Sequence, residues 1–278
     1  MDESSLAAPD GEYLDPGYDP QTPDGDNLLL DFVRAETELW TSWGQAMAAE
    51  IGRDAASGAL WIDSGCPSVF GNPVLWPRPV TPQTAATIVK GMHHTYSARD
   101  GGAYLVYSPF PTPDLSGLGL KPVGHPPCMA RMPGAVEDAS RMDTLDVRRI
   151  TDLSGLDDFE RTLVEAYPIS EADPWRRGVM MGSALLDDPR WHLLVGYLNG
   201  EPAATSAAYI TNHAVDVTLV STRPEHRGRG IGRAITAAAV QADIAKPAIL
   251  LASDDGQSVY RSLGFASICR FTLWVGQR

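Results

Sequence analysis

Residues 217–233 gather the groups in this chain most able to do chemistry. A β-branched, apolar run ends near Thr222. Three glycines follow at Gly228, Gly230 and Gly232, interleaved with Arg227, Arg229 and Arg233. From Ile231 onward, Ile235, Ala238, Ala239 and Ala242 recur at helical spacing. The pattern is a strand, a glycine-rich loop and the opening of a helix. Glycines so spaced let a backbone approach a ligand closely and present successive N–H groups. The helix N-terminus adds about half a positive charge at the same place. Such a cradle suits a pyrophosphate. The run lacks the Gly-Lys-Ser/Thr ending of a P-loop. It also fits a dinucleotide-binding fingerprint poorly: antiparallel hairpins precede it, and Asp243, Lys246 and Pro247 lead into a strand instead of ending one. A glycine-rich helix start with its arginines in solvent is the other reading.

The run Arg227-Gly228-Arg229-Gly230-Ile231-Gly232 resembles the Gln/Arg-x-x-Gly-x-Gly/Ala motif of the GNAT superfamily of N-acetyltransferases. A second block agrees with it. Tyr260-Arg261-Ser262-Leu263-Gly264-Phe265 is similar to the superfamily's Tyr-x-x-Leu-Gly-Phe motif, at the expected distance downstream. The resemblance covers residues 145–278. It implies the α/β fold of the acyl-CoA N-acyltransferases, with a mixed, mostly antiparallel sheet flanked by helices. It also implies acetyl-CoA as cosubstrate and acyl transfer to an amine, with no metal. On that resemblance, Val220, Ser221 and Thr222 form the strand edge that pairs with the pantetheine arm. Arg227, Gly228, Arg229, Gly230, Ile231, Gly232 and Arg233 cradle the pyrophosphate, and Tyr260 protonates the leaving thiolate. Ser253 stands where many members have an asparagine that contacts the cofactor; it is a shorter donor. The alternative function is a GNAT-like module that binds acyl-CoA or a partner without turnover.

The chemistry of acyl transfer asks for the same groups. An amine must be neutral to attack a thioester, so a base has to take its proton. The tetrahedral oxyanion needs an N–H donor, which a splayed strand edge can supply. Asp216 is the candidate base: six residues before Thr222 on one strand, it is expected on that residue's face. An ordinary strand-edge acid is the competing reading for Asp216, and a core aromatic for Tyr260. Tyr167, Trp175 and Tyr209 are candidates to line an acceptor pocket, with 168–177 as its lid. Glu165, Glu171 and Asp173 would make that lid acidic, which suits a cationic acceptor. His192, His213 and His226 have no partner at metal-ligand spacing, and His93-His94 read as a surface pair.

These residues need elements to position them. Around the motifs the pattern predicts strands at 146–150, 191–197, 203–210, 215–222, 247–252 and 267–275. Helices are predicted at 152–167, 175–186, 232–244 and 256–263, and Asn199-Gly200 reads as a two-residue hairpin turn. Upstream, 28–51 reads as one amphipathic helix. Leu29, Phe32, Val33, Leu39, Trp40, Trp43, Met47 and Ile51 form its apolar face, and Glu36 is the polar exception. Thr81 with Pro82 opens a helix at 81–96, and 103–108 and 128–132 read as strands. Residues 27–133 therefore form a second, smaller α/β domain without a glycine cradle, since Gly101-Gly102 and Gly117-x-Gly119 do not precede a helix. Its element order and the stretch 66–74 resemble the eroded N-terminal half of some GNAT proteins. Its role would be structural, flanking the acceptor pocket or forming a homodimer face. A polar linker is placed at 134–144 and the C-terminal domain at 145–278.

Composition bounds the rest. The 278 residues carry a net charge of −13, and eight acids with no Lys or Arg fall in residues 1–26. Together with four prolines there, this reads as a disordered acidic tail, either solubilising or shielding a site. The acidic balance argues against nucleic acid and anionic membranes as partners. It leaves a small-molecule or peptide amine as acceptor. Cys66, Cys128 and Cys269 stand alone in sequence, without disulfide or zinc spacing. With no signal-peptide pattern and no apolar run long enough to span a bilayer, a cytoplasmic location is expected.

Overall fold

The computed structural model describes residues 28–96, 103–136, 144–167, 169–172 and 174–276. The acidic tail, Gly101-Gly102, Pro168, Asp173 and most of the 134–144 linker lie outside the described residues.

Among the described residues, thirteen strands build two mixed sheets, flanked by five helices. In chain order these begin with helix α1 (Leu28–Ala46), strands β1 (Glu50–Arg53), β2 (Leu60–Asp63) and β3 (Pro73–Leu75), and helix α2 (Pro82–Tyr96). Strands β4 (Tyr104–Ser108), β5 (Leu120–Gly124), β6 (Pro127–Arg131) and β7 (Leu145–Arg149) come next, then helix α3 (Leu153–Ala166). The remainder is β8 (Trp191–Leu198), β9 (Glu201–Ile210), β10 (Val215–Thr222), α4 (Ile231–Val240), β11 (Ala248–Leu251), α5 (Gln257–Ser262), β12 (Ala266–Arg270) and β13 (Thr272–Gly276).

Most of these elements follow from local chemistry. The Thr84 N–H donates to the Thr81 hydroxyl at 3.2 Å and opens α2. The Asp152 carboxylate caps α3 by accepting from Gly155 N at 2.8 Å. Asn199 and Gly200, at φ 53° and 88°, make the turn between β8 and β9. Two expectations fail for identifiable reasons. The first helix stops at Ala46: Ala48 takes φ 51°, and its neighbours close back onto Trp43, Gly44 and Gln45, so Ile51 belongs to β1. Residues 175–186 form no α-helix, only one 3-10 turn at Ser183–Leu186. The buried Glu160 carboxylate takes their backbone donors instead, accepting from Gly178, Met180 and Met181 at 2.7–2.8 Å and from the Trp175 indole at 3.0 Å.

Sheet order is β1-β2-β3-β4-β13-β5 in one sheet and β12-β6-β11-β10-β9-β8-β7 in the other. Only β3–β4 and β10–β11 are parallel pairs, matching the expected mixed, mostly antiparallel arrangement. The two sheets exchange strands. β6, upstream of the expected linker, lies between β11 and β12 of the C-terminal sheet, whereas β13 lies between β4 and β5 of the N-terminal sheet. The single strand expected at 267–275 is thus two strands, divided at Phe271. The crossings are stitched together: Phe271 N donates to Pro126 O at 2.9 Å, and the Arg270 guanidinium to His125 O at 2.6 Å. Cys128 and Cys269, distant in sequence, stand opposite each other in β6 and β12 as free thiols.

Three cores result. One joins α1 and α3 to both sheets through Phe32, Trp43, Ile62, Phe159 and Tyr209. A second packs α4 on the opposite face of the C-terminal sheet, and a third packs α2 on the N-terminal sheet. Polar bonds fix α1 against the C-terminal half. The Trp43 indole donates to Met180 O, the Trp191 indole to Ser42, and Ser42 to Asp188, all at 2.9–3.0 Å. No helix among the described residues is long and apolar enough to cross a membrane.

Candidate functional site

The sheet geometry at β10 sets the site. β10 pairs with β11 only at Val215↔Ala248 and Asp216↔Ile249. Beyond Asp216 the two strands part, leaving the edge of residues 217–222 without a sheet partner on that side. A bulge sharpens the departure. Register with β9 shifts between Thr218 and Ser221, and Leu219 is held at φ 52°. Thr205 on β9 holds the bulge in place, since its hydroxyl donates to Leu219 O at 2.8 Å and lies 2.8 Å from the Ser221 hydroxyl. Ser221 is therefore buried toward β9, and its side chain does not face the open edge. The extra residue also breaks the alternation. Asp216 pairs with Tyr209, Thr222 with Ala204, and those two β9 residues point to opposite faces. Asp216 does not share the face of Thr222, contrary to the six-residue spacing argument, but lies on the side covered by α1 and α3.

The gap between the parted strands opens into a cavity of about 310 Å³. Its walls come from both halves of the chain. β10 contributes Asp216 to Val220, and the end of β11 with its following turn contributes Leu251 to Ser253. Tyr260 closes one side. Glu36, Trp40 and Trp43 reach in from α1, with Tyr107 of β4 beside them. Tyr167, Met180 and Met181 complete the far wall. Tyr167 is thus where the sequence placed it. Trp175 is not, because its indole is bonded to Glu160 and its ring carries the Arg161 guanidinium. Tyr209 is fully buried against Trp191. Of the acids expected in the lid, Glu165 is paired with Arg223 at 2.6 Å.

Two carboxyls share this aromatic chamber. Asp216 is 1% exposed, and its Oδ2 has no hydrogen-bond partner among the described residues. Burial, then the neighbouring Glu36, hold its carboxyl well above the usual carboxylate range. Burial pushes Glu36 up to about 7, against the opposing hydrogen bond from the Trp40 indole at 2.6 Å. The sequence reading missed Glu36 as a site residue. Its signal was present as the lone acid on the apolar face of a helix. Burial, with Tyr167 adding to it, raises the Tyr260 hydroxyl, so it remains protonated at neutral pH. Gly256 permits the tight packing of Tyr260: a Cβ there would lie 2.8 Å from its ring and 3.1 Å from the Ser253 hydroxyl. Ser253 Oγ accepts from Gly256 N at 3.2 Å and stands at the exposed mouth of the cavity.

Next to this mouth, the glycine loop leads into α4. Gly228 and Gly230 take φ 72° and 83°, and a Cβ at either would meet open space. The first backbone bond of the helix runs from Ala234 N to Gly230 O at 3.0 Å. The amides of Ile231, Gly232 and Arg233 precede it and have no helical acceptor. No side chain caps this end. Arg229 is exposed and Arg233 half-buried beside the loop. Arg227 differs: its guanidinium donates to Thr222 O at 3.1 Å and to Ala166 O at 2.7 Å, so it ties the loop to the end of α3. Among the described residues, no group of three or more His, Cys, Asp or Glu is arranged to hold a metal ion.

Residues 189–267 match the family model described as an acetyltransferase (GNAT) domain. The chain is similar in structure to a GCN5-related N-acetyltransferase from Kribbella flavida, with a TM-score of 0.63 and 18% identity over 90% of this chain and 96% of that one. It is also similar to a conserved protein of unknown function from Staphylococcus epidermidis, with a TM-score of 0.62 and 17% identity over 84% and 95% of the two chains. No curated protein matches the chain. At these identities the likeness is one of fold, and it spans both sheets. The parted strands, the glycine loop and the Tyr-x-x-Leu-Gly-Phe turn all lie within residues 189–267, the stretch that matches the acetyltransferase (GNAT) domain model.

Proposed function

We propose that this protein is an acetyl-CoA-dependent N-acetyltransferase that moves the acetyl group to a primary amine by direct attack while both substrates are bound. The observation that supports it most is the juxtaposition at β10. An unpaired strand edge and a protonated tyrosine line one cavity, and that edge runs on to Thr222, beside a capless helix start behind two left-handed glycines. The residues fit the coenzyme. The amides of Ile231, Gly232 and Arg233 with Arg229 would hold the diphosphate. The open edge of Val220 to Thr222 would pair with the pantetheine amides, leaving a backbone N–H to face the developing oxyanion.

In the transfer, the amine lone pair forms the C–N bond at the thioester carbonyl and the C–S bond breaks. Tyr260 gives its hydroxyl proton to the departing thiolate. A carboxyl in the cavity takes the proton that the amine loses, and Asp216 is placed to do so from the buried end of β10. Cytoplasmic action on a soluble acceptor is part of this reading.

The direct test is release of free thiol from acetyl-CoA with an amine panel, alongside calorimetric binding of acetyl-CoA to wild type and Gly230→Glu. Wild type should bind, and the variant should lose binding because a bulky anion enters the cradle at a strained φ. Equal affinity for the two proteins would remove the cradle from the function.

A further inference from the structure

Within the transferase reading, the cavity also says what kind of amine fits. We infer that the acceptor is a compact primary amine with one cationic head on an apolar, arylalkyl-like body, and that Glu36 of the N-terminal half and Asp216 hold its ammonium together, one of them taking its proton.

The argument begins with charge. Asp216 of β10, Tyr107 of β4 and Cys128 of β6 lie within electrostatic reach of Glu36, and Tyr167 after α3 lines the same cavity. Tyr260 of α5 lies near Tyr167, and Cys269 of β12 stands opposite Cys128 as a free thiol. None is a cation, and among the described residues no Lys or Arg lines the cavity. Two carboxyls without a counter-charge, one with an orphaned oxygen buried in an apolar wall, form a site that a monocation would complete. The rest of the wall argues for the body of the ligand. Trp40 and Trp43 meet edge to face at 5.6 Å, Tyr107 lies 6.2 Å from Trp40, and Tyr167 packs on Phe70. Aromatic faces around an acidic pair suit an ammonium beside an apolar chain.

Size and polarity exclude the other amines. About 310 Å³ is at the small end of ligand cavities, roughly 300–1,000 Å³. The thioester end must enter the same space. A polyamine would bring further charges with no acid to meet them. An aminoglycoside would bury hydroxyls against tryptophan and methionine. A peptide would have to pass the walls supplied by α1 and β4. A site that leaves polar groups unpaired rejects its ligand strongly.

The experiment uses the full chain with labelled acetyl-CoA and phenethylamine, tryptamine, spermidine, kanamycin and a lysine peptide, read by mass spectrometry. The arylalkylamines should be acetylated with a kcat/KM at least about 10²-fold above the other three. Glu36→Gln should raise KM for phenethylamine about 10–100-fold, the loss expected for one charged hydrogen bond, with affinity for acetyl-CoA unchanged. Preference for spermidine, kanamycin or the peptide overturns the acceptor class, and an unchanged KM in Glu36→Gln overturns the role of Glu36. If acetyl-CoA binds but no arylalkylamine is acetylated, this inference falls and the coenzyme assignment stands. If acetyl-CoA does not bind, the transferase reading falls first. Should Glu36→Gln fail to fold by circular dichroism, wild type supplies the test. Phenethylamine binding near pH 7 should release protons, seen as buffer-dependent heat, because a bound ammonium favours both ionised carboxyls. Binding without proton release overturns the assignment.

Discussion

Replacing Glu36 by Gln should stabilise the folded protein at high pH while impairing its function. The folded environment raises this carboxyl from its ordinary value of 4.5 to about 7. At about 1.4 kcal/mol per pH unit, the rise from 4.5 to about 7 corresponds to at most about 3.5 kcal/mol, of which about 2.5 kcal/mol is lost between pH 5 and pH 8. The sign follows from proton counting. Between pH 4.5 and 7 the folded state binds more protons at Glu36 than the unfolded state, so stability falls as pH rises through that window. The contribution is fully present below the unfolded value and gone above the folded one. Asp216 is raised for the same reason and adds to the slope with the same sign. Glutamine keeps the length and an acceptor for the Trp40 indole but cannot ionise. Thermal melts by circular dichroism at constant ionic strength, from pH 5 to pH 8, should therefore show wild type losing ground to the variant. With about 2–4 °C per kcal/mol for a domain of this size, the gap in Tm should widen by roughly 5–10 °C. A gap that does not change with pH, or that narrows as pH rises, would refute the burial argument for Glu36.

Tyr260→Phe should lower kcat about 10–10³-fold at neutral pH, with acetyl-CoA affinity retained by calorimetry; unchanged turnover would take the hydroxyl out of the mechanism. Thr205→Val removes the hydroxyl that bonds Leu219 O and contacts Ser221. It should cost about 1–3 kcal/mol in urea denaturation and weaken acetyl-CoA binding as the bulge relaxes. Deleting residues from Thr272 onward removes β13 from between β4 and β5. The product should lose cooperative melting of the N-terminal sheet, and a native-like melt would show that the strand exchange is dispensable.

Much of the C-terminal half was legible because its signals are local. The Asn199-Gly200 turn and the strand, glycine loop and helix of residues 217–233 each act within a few residues, and each forms as read. The misses have non-local causes. Residues 175–186 have helical periodicity, but Glu160, distant in sequence, takes their amides. The face of Asp216 was misjudged because a bulge stabilised from β9 inserts one residue into the count. Strand exchange leaves no mark in periodicity: β6 and β13 look like the last strands of their own halves, and only the sheets reveal where they pair. Glu36 was visible as an acid on an apolar helix face, but its meaning depended on Asp216, which no spacing rule brings near it.

The strand exchange and the acid pair are linked. Each sheet is completed by a strand from the other half, and the chain crosses between sheets at Pro126 and Phe271, whose backbones bond to each other. Pro126 lines the cavity, and Phe271 packs on Phe32 of α1 at 5.2 Å. Phe32 and Glu36 are one helical turn apart, so the crossing that fuses the sheets also fixes the helix bearing the second carboxyl. Burying two acids in one cavity opposes folding, and a loosely docked N-terminal half would relieve it by swinging Glu36 into water. The exchanged strands and the Trp43–Met180 bond deny that escape. The two halves are held together so that Glu36 and Asp216 line one cavity, and a bound ammonium is the simplest group that would relieve them both.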